Sequence, residues 1–369
     1  MPRRRGSPSV EGMSLADRAA APDHLDLPDL PGIAWRPLGR ADAPALHALV
    51  AAAEDADAQP FRTSLPELEE AFDAPGQDPA TDTIAAIDDD GRIVAYGAVT
   101  TRPGDESVVR VFLHGGVLPE RRGEGLGRAV VAWMTGRARQ VLAGSGRDLP
   151  GRILTYLEDG GPAAERHLYE RAGFAARRYY ATLRRDLADP IPAVELDGGL
   201  RLEPWTPDLD EAVRLAHNDA FRDHWGSEPQ SPEVWAHGRT LLAPQWSCVV
   251  VDPDPRAALA DGLDPETGAH VEAGGALVAG YQLADRAEQD WAVQGYTSGY
   301  TATLGVRRAY RGRHLAPALL AAGMRAFAAD GMQYAVLDVD TENPTGAYGL
   351  YSSLGYAKTV GSRMLSIEV

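Results

Sequence analysis

A basic, glycine-rich turn between an apolar strand and an apolar helix occurs twice in this chain, and that duplication constrains the fold most. The first copy reads Val117-Leu-Pro-Glu-Arg-Arg122-Gly123-Glu124-Gly125-Leu126-Gly127. It opens a helical period of Leu126, Val130, Trp133, Met134, Ala138 and Val141. Gly123, Gly125 and Gly127 remove Cβ atoms where backbone amides can face a ligand, and a helix N-terminus adds partial positive charge. The product is a nest for a pyrophosphate, with Arg122 beside it. The second copy reads Val306-Arg-Arg-Ala-Tyr-Arg311-Gly312-Arg313-His314-Leu315-Ala316, before Ala318, Leu319, Ala322 and Ala326. Aligned on the arginine, Val117 matches Val306, Arg122 matches Arg311 and Gly127 matches Ala316, while His314 stands where the first copy has a glycine. Neither copy ends in Gly-Lys-Ser/Thr, which excludes a P-loop. The glycine spacing is also wrong for a dinucleotide-binding turn.

A second shared stretch follows each loop helix and one further strand. Pro162 leads to Leu168-Tyr169 and Gly173-Phe174, and Pro344 leads to Leu350-Tyr351 and Gly355-Tyr356; the tyrosine lies seven positions after the proline both times. This spacing predicts a short helix closed by glycine and a returning strand. Upstream, 32–38 and 199–205 read as matching first strands, each followed by an amphipathic helix, Ala45 to Ala53 and Leu209 to Phe221. Thr83 to Ile87 and Arg92 to Val99 flank Asp88-Asp-Asp-Gly91 as a hairpin. In the second half, 252–270 is rich in Pro, Gly and Asp and is expected as a surface loop between strands 247–251 and 273–283.

These paired motifs resemble the GNAT superfamily of acyl-CoA N-acyltransferases, whose signature is Arg/Gln-x-x-Gly-x-Gly/Ala. Among tandem members the chain is most similar to the mycothiol-synthase-like group, an impression strengthened by His217-Asn-Asp219-Ala-Phe221. The resemblance implies a mixed α/β (α+β) fold of two tandem GNAT domains, each a central mixed sheet flanked by helices. The expected layout is a flexible arm over 1–29, a first domain over 30–188, a linker over 189–197 carrying Pro190 and Pro192, and a second domain over 198–369. It further implies acetyl-CoA as donor, with its pyrophosphate on Arg122, Gly123, Glu124, Gly125, Leu126 and Gly127, on Arg311, Gly312, Arg313, His314, Leu315 and Ala316, or on both. A backbone N–H near Val117 or Val306 would stabilise the carbonyl oxygen. Tyr351 would be the general acid and Asn343 a contact to CoA, with Tyr169 the corresponding tyrosine of the first half. Each has a plainer alternative: Asn343 as a helix cap, the tyrosines as packing residues with a polar edge.

The acceptor is less clearly marked. Asp338 and Asp340 share one face of a strand beside the expected cleft, and His217, Asp219, His224 and Trp225 lie where such proteins shape the acceptor pocket. The reading is an N-acetyltransferase acting on a primary amine, of a small molecule such as an amino sugar or its conjugate. Acetylation of a protein or peptide amine, and a non-catalytic acyl-CoA-binding protein, remain as alternatives. The activity is assigned to the second half, which keeps Asn343 and Leu350-Tyr351 together.

Bulk properties fit that class. The 369 residues suit about two domains. A formal net charge of −17 argues against general nucleic-acid binding and against anionic membrane surfaces. The single cysteine, Cys248, sits in an apolar run, so neither a disulfide framework nor a Cys-rich metal site is expected. The basic start lacks an apolar h-region, no run is long enough to span a bilayer, and a cytoplasmic location is expected.

Overall fold

The computed structural model describes residues 13–255, 262–342 and 346–369. Among the described residues each half contributes six strands. The first half holds β1 (Ile33–Arg36), β2 (Thr83–Asp88), β3 (Ile93–Thr101), β4 (Val109–Val117), β5 (Gly151–Glu158) and β6 (Ala175–Asp186). The second holds β7 (Arg201–Pro204), β8 (Cys248–Asp252), β9 (Leu277–Asp285), β10 (Ser298–Val306), β11 (Tyr334–Asp340) and β12 (Ala357–Glu368). Helices in the first half are α1 (Leu15–Ala19), α2 (Ala43–Ala56), α3 (Leu65–Ala71), α4 (Pro79–Asp82), α5 (Leu126–Gly144) and α6 (Ala163–Arg171). Those in the second are α7 (Asp210–Ala220), α8 (Pro232–Ala236), α9 (Pro265–Glu272), α10 (Glu288–Gln294), α11 (Leu315–Ala329) and α12 (Ala347–Ser353).

The two mixed sheets are joined edge to edge into one of twelve strands, ordered β1-β2-β3-β4-β5-β12-β6-β11-β10-β9-β8-β7. The last strand of each half crosses over: β12 pairs antiparallel with β5, and β6 with β11. At the centre β6 and β12 pair with each other, Tyr180 opposite Ser362. Counted from Tyr169 and Tyr351, these are the same position in the two copies, so an approximate two-fold axis passes between them. The exchange covers strands that would otherwise be open sheet edges inviting other chains.

Alternation along the strands places α5 and α11 on one face and α2 and α7 on the other. A Cβ on Gly97 would lie 2.8 Å from Met134 Cγ of α5, and one on Gly116 would lie 3.5 Å from Leu49 Cδ2 of α2. The apolar period of α5 is buried as expected, with Leu126, Met134, Ala138 and Leu142 at most 1% exposed. Each large side chain of this kind stabilises by about 1.5–3 kcal/mol. The second loop helix repeats the arrangement with Leu315, Leu319, Met324 and Phe327.

Two expectations change. The arm expected over 1–29 is packed from Ser14 onward: Ser14 caps α1, and Leu15 and Ala19 are fully buried in the first core. Arg18 and Arg139 fasten it through Leu149 O and Ala19 O. Polar composition concealed an apolar pair at i and i+4. The expected loop over 252–270 contains α9, which Asp264 caps, with Thr267 1% exposed and Glu266 paired to Arg214 of α7.

Candidate active site

Parallel strands β4 and β5 are paired only from Val109–Gly151 to Phe112–Leu154, and β10 and β11 only from Ser298–Tyr334 to Tyr300–Val336. Beyond those points the carboxyl ends separate, because β5 and β11 are drawn to β12 and β6 instead. Each half therefore has a wedge-shaped gap at the carboxyl end of its parallel pair, where α/β folds place ligands. Leu118 N–H donates to Val94 O and Arg307 N–H to Ala279 O, both on the side away from the gap. By alternation the preceding amides, of Val117 and Val306, point into it.

The loops at the mouths of the gaps suit a pyrophosphate. Neither α5 nor α11 has a side-chain cap at its N-terminus, so the first-turn amides of two long helices are left for another acceptor. Gly123, Gly125 and Gly312 have positive φ, and nothing lies within 4 Å of where their Cβ atoms would be. His314 takes the position of Gly125 with φ 60°, the left-handed region that glycine adopts without a Cβ penalty. A non-glycine residue there is strained by about 1–2 kcal/mol. We expect His314→Gly to raise the thermal midpoint by the equivalent of about 1 kcal/mol, and His314→Val to lower it, measured by calorimetry. A midpoint for His314→Gly below that of the parent chain would show that the imidazole stabilises the loop.

The loop arginines are less free than the sequence suggested. Arg122 forms a two-pronged pair with Asp57 at 2.6 and 2.8 Å, directly after α2, and its Nε donates to Val117 O. Glu124 is held by Arg121. In the second loop Arg311 donates to Ala220 O and lies 3.9 Å from Asp223, while Arg313 lies over the Tyr310 ring. Backbone amides and helix ends are therefore the groups these loops leave free for an anion, with the arginines shaping the loops. Arg307 adds a charge that sequence reasoning missed: it is 3% exposed beneath the second loop and donates to Val278 O at 2.7 Å.

The two motif tyrosines differ. Tyr169 is 5% exposed and edge-on to Phe174, and its hydroxyl lies near Thr155 on β5, which itself donates to Leu113 O across the gap. The residue corresponding to Thr155 in the second half is Leu337, which has no hydroxyl to offer. Tyr351 is half-buried against the cluster containing Leu337, and burial pushes its phenol up to about 12. Among the described residues its hydroxyl meets no hydrogen-bond partner. Asn343 lies outside the described residues.

The expected acceptor residues do not form one group. His217 is a buried core residue, 8% exposed, with Nδ1 2.6 Å from the Tyr281 hydroxyl and its ring stacked on Phe221. Burial pulls it down to about 4, so it is neutral at physiological pH. Asp219 accepts from Arg308 N–H at 2.9 Å and braces the second loop. Both are expected in the pocket from the resemblance alone, but the apolar stripe of α7 turns His217 inward.

The strand-end acids do face the opposite, open side of the sheet. Cross-strand pairing sets Glu158, Ser362, Tyr180 and Asp340 in one row across β5, β12, β6 and β11. Asp340 is buried and accepts from Glu342 N–H, whereas Asp338 is exposed and accepts from the Tyr300 hydroxyl at 3.1 Å. Glu158, missed in the sequence, occupies in the first copy the place of Asp340; burial, with Asp338 and Asp159 nearby, raises it to about 7. Asp285, opposite Tyr300 on β9, and Asp290 on α10 are each raised to about 6, chiefly by burial. Asp290 accepts from Arg62 N–H at 2.7 Å, and Gln289 donates to Glu67, so first-half residues wall the second-half site. The converse also holds: His224 and Trp225 of the second half line a cleft over β4 and β5.

Comparison with known proteins agrees with this geometry. The Acetyltransferase (GNAT) domain model matches residues 80–176, and the Acetyltransferase (GNAT) family model matches residues 228–356. Each match contains one loop and one motif tyrosine, so the protein is an acetyl-CoA-dependent N-acyltransferase built from two tandem GNAT domains. Mycothiol acetyltransferase of Streptomyces coelicolor is 29% identical over 73% of this chain and 74% of its own length. That of Frankia casuarinae is 30% identical over 77% of this chain and 75% of its own. The chain belongs to the mycothiol acetyltransferase family within that superfamily. A GCN5-related N-acetyltransferase from Sphaerobacter thermophilus superposes with TM-score 0.62 at 26% identity, covering 93% of this chain and 97% of its own. Among the described residues no helix is long and apolar enough to cross a membrane.

Proposed function

We propose that the second half transfers the acetyl group of acetyl-CoA to the primary amine of a small molecule, an amino sugar or its conjugate. The first half then binds donor or supports the fold. The observation that carries this reading is the Tyr351 hydroxyl, which has no hydrogen-bond partner among the described residues, whereas in the first half Tyr169 is buried beside Thr155, which bridges to Leu113 O. Relatives named mycothiol acetyltransferase favour a small-molecule acceptor over a protein amine.

Acetyl-CoA supplies an already activated thioester, so the chain has mainly to position reactants. Val306 N–H donates a hydrogen bond to the carbonyl oxygen as negative charge grows on it. As the amine nitrogen bonds to the carbonyl carbon and the carbon–sulfur bond breaks, the Tyr351 O–H donates to the leaving sulfur. Asp338, Asp285 and Asp290 form an acidic wall that holds the incoming ammonium and takes its proton. Thiol release from acetyl-CoA, followed across amino sugars, their conjugates and peptides, tests the reading. Turnover is expected with the sugar amines. Turnover confined to peptides would move the acceptor class, and acetyl-CoA binding without any turnover would favour a sensor.

A further inference from the structure

The segment that leaves α2 is fastened to both halves. Asp57 is the first residue past α2, and its two carboxylate oxygens accept from Arg122 of the first glycine-rich loop at 2.6 and 2.8 Å. Such a forked pair fixes direction as well as distance. Ala58 follows with φ 49°, a left-handed conformation that a residue with a Cβ keeps only where its surroundings over-determine it. The chain then turns out to the second half. Pro60 O accepts from Gln294 at 3.0 Å and Arg62 N–H donates to Asp290 at 2.7 Å, both partners lying on α10. Arg62 and Thr63 bring the segment back to α2 through Asp55 and Glu54.

The second half repeats this layout. Asp223, just past α7, holds Arg308 at 2.9 Å and lies 3.9 Å from Arg311 of the second loop. The chain then crosses to the first half, where Gly226 O accepts from Arg110 and Glu228 from the amides of Glu106 and Ser107. After the shared aspartate the two segments have unrelated sequences, Ala-Gln-Pro-Phe-Arg62 and His-Trp-Gly-Ser-Glu228, so the common arrangement does not follow from a common local sequence. In each copy an acid holds a loop arginine, and the segment it begins becomes a wall of the other copy.

We infer that the first loop is a positioning element for the second-half acceptor site, with Asp57 and Arg122 as its positioning residues. The inference rests on the reading that the second half transfers acetyl. Asp290 lies close enough to Tyr300 for its charge to act on the phenol, as do Asp338 and Asp285. Where Arg62 N–H holds Asp290 therefore sets the shape and charge of the acidic wall. Asp57 and Arg122 act on the acceptor only through residues 59–62. The first copy thus takes part in the reaction without any transfer of its own.

The test is the titration of Asp290, followed by carbon NMR on the full chain labelled at its aspartate carboxyls and assigned with Asp290→Asn. Burial raises this carboxyl to about 6; Glu67 and Glu54 add to the rise, while the Arg62 N–H and guanidinium oppose it. A weakened Arg62 N–H bond raises it further. Asp57→Ala is therefore expected to titrate at higher pH than the parent chain, with Asp57→Glu partly restored and circular dichroism verifying the fold. Arg122→Ala should match Asp57→Ala, and the double change should add nothing. At pH 8, where Asp290 is ionised, Asp57→Ala should raise KM for glucosamine about fivefold, with kcat and the KM for acetyl-CoA little changed. An Asp290 titration identical in Asp57→Ala and the parent chain would overturn the inference. So would a shifted titration with KM for glucosamine unchanged, because the wall would then move without consequence for the acceptor. No turnover of glucosamine by the parent chain would count against the sugar-amine reading, and the Asp290 titration would then decide the positioning by itself.

Discussion

Tyr351→Phe is expected to lower kcat by about a hundredfold or more, with the acetyl-CoA affinity little altered. The substitution keeps the ring, which packs with Leu337, Leu354 and Tyr356, and removes only the hydroxyl. Burial holds that phenol at about 12, so it stays protonated across the working range and is a donor throughout. Tyr169→Phe should change kcat far less. Its main consequence is the loss of the hydroxyl contact to Thr155 in a site that is 5% exposed, a stability effect of about 1 kcal/mol. Steady-state rates at saturating acetyl-CoA, with circular dichroism to confirm folding, decide the matter. A large loss in Tyr169→Phe with Tyr351→Phe near normal would place the reaction in the first half.

The contrast between those tyrosines depends on a neighbour that motif reading did not weigh. Leu-Tyr at a fixed distance from proline is identical in both halves, so the motif alone ranks them equally. What separates them is Thr155 against Leu337 on the adjoining strand. The acids follow the same rule. Glu158 and Asp340 are equivalent positions in one row, yet Asp340 is buried and accepts from Glu342 N–H, while Glu158 is half-buried and raised to about 7.

The features legible in the sequence are the local ones. Loop glycines, the apolar periods of α5 and α11, the Asp-Asp-Asp-Gly hairpin and the repeat itself depend on neighbours within about a helix length, and they stand where expected. The exchange of β6 and β12 depends on strands far apart in the chain that pair only after collapse, and no local pattern encodes that choice. Paired features across the repeat were available but unread. Tyr96 and Tyr281 both pack over a glycine preceding the gap valine, Gly116 and Gly305, and Asp57 and Asp223 both brace a loop arginine. Burial reverses the meaning of single residues: a histidine near a pocket by sequence, His217, is a core residue because α7 packs its apolar side against Tyr281.

Asp105→Ala should cost about 3–5 kcal/mol of folding stability, a large part of the roughly 5–15 kcal/mol that holds a domain. Asp105 and Arg110 have side chains 7% and 9% exposed and meet at 2.5 Å, with a second carboxylate oxygen accepting from Arg110 N–H at 2.8 Å. Removing the acid leaves a guanidinium in the interior that cannot lose its proton, whereas removing both charges leaves nothing to neutralise. Asp105→Ala combined with Arg110→Leu should therefore be less destabilising than the sum of the single changes. The pair also joins the halves, since Arg110 donates to Gly226 O at 2.6 Å and Glu228 accepts from the amides of Glu106 and Ser107. Loss of Asp105 should accordingly loosen the segment carrying Trp225 and the wall of the cleft it closes, while the second-half site keeps its own braces. Urea unfolding followed by tryptophan fluorescence measures the first effect, and amide hydrogen exchange over 224–228 below the transition measures the second. A midpoint unchanged in Asp105→Ala would mean that water reaches Arg110, and that the joint between the halves rests on Glu228 instead.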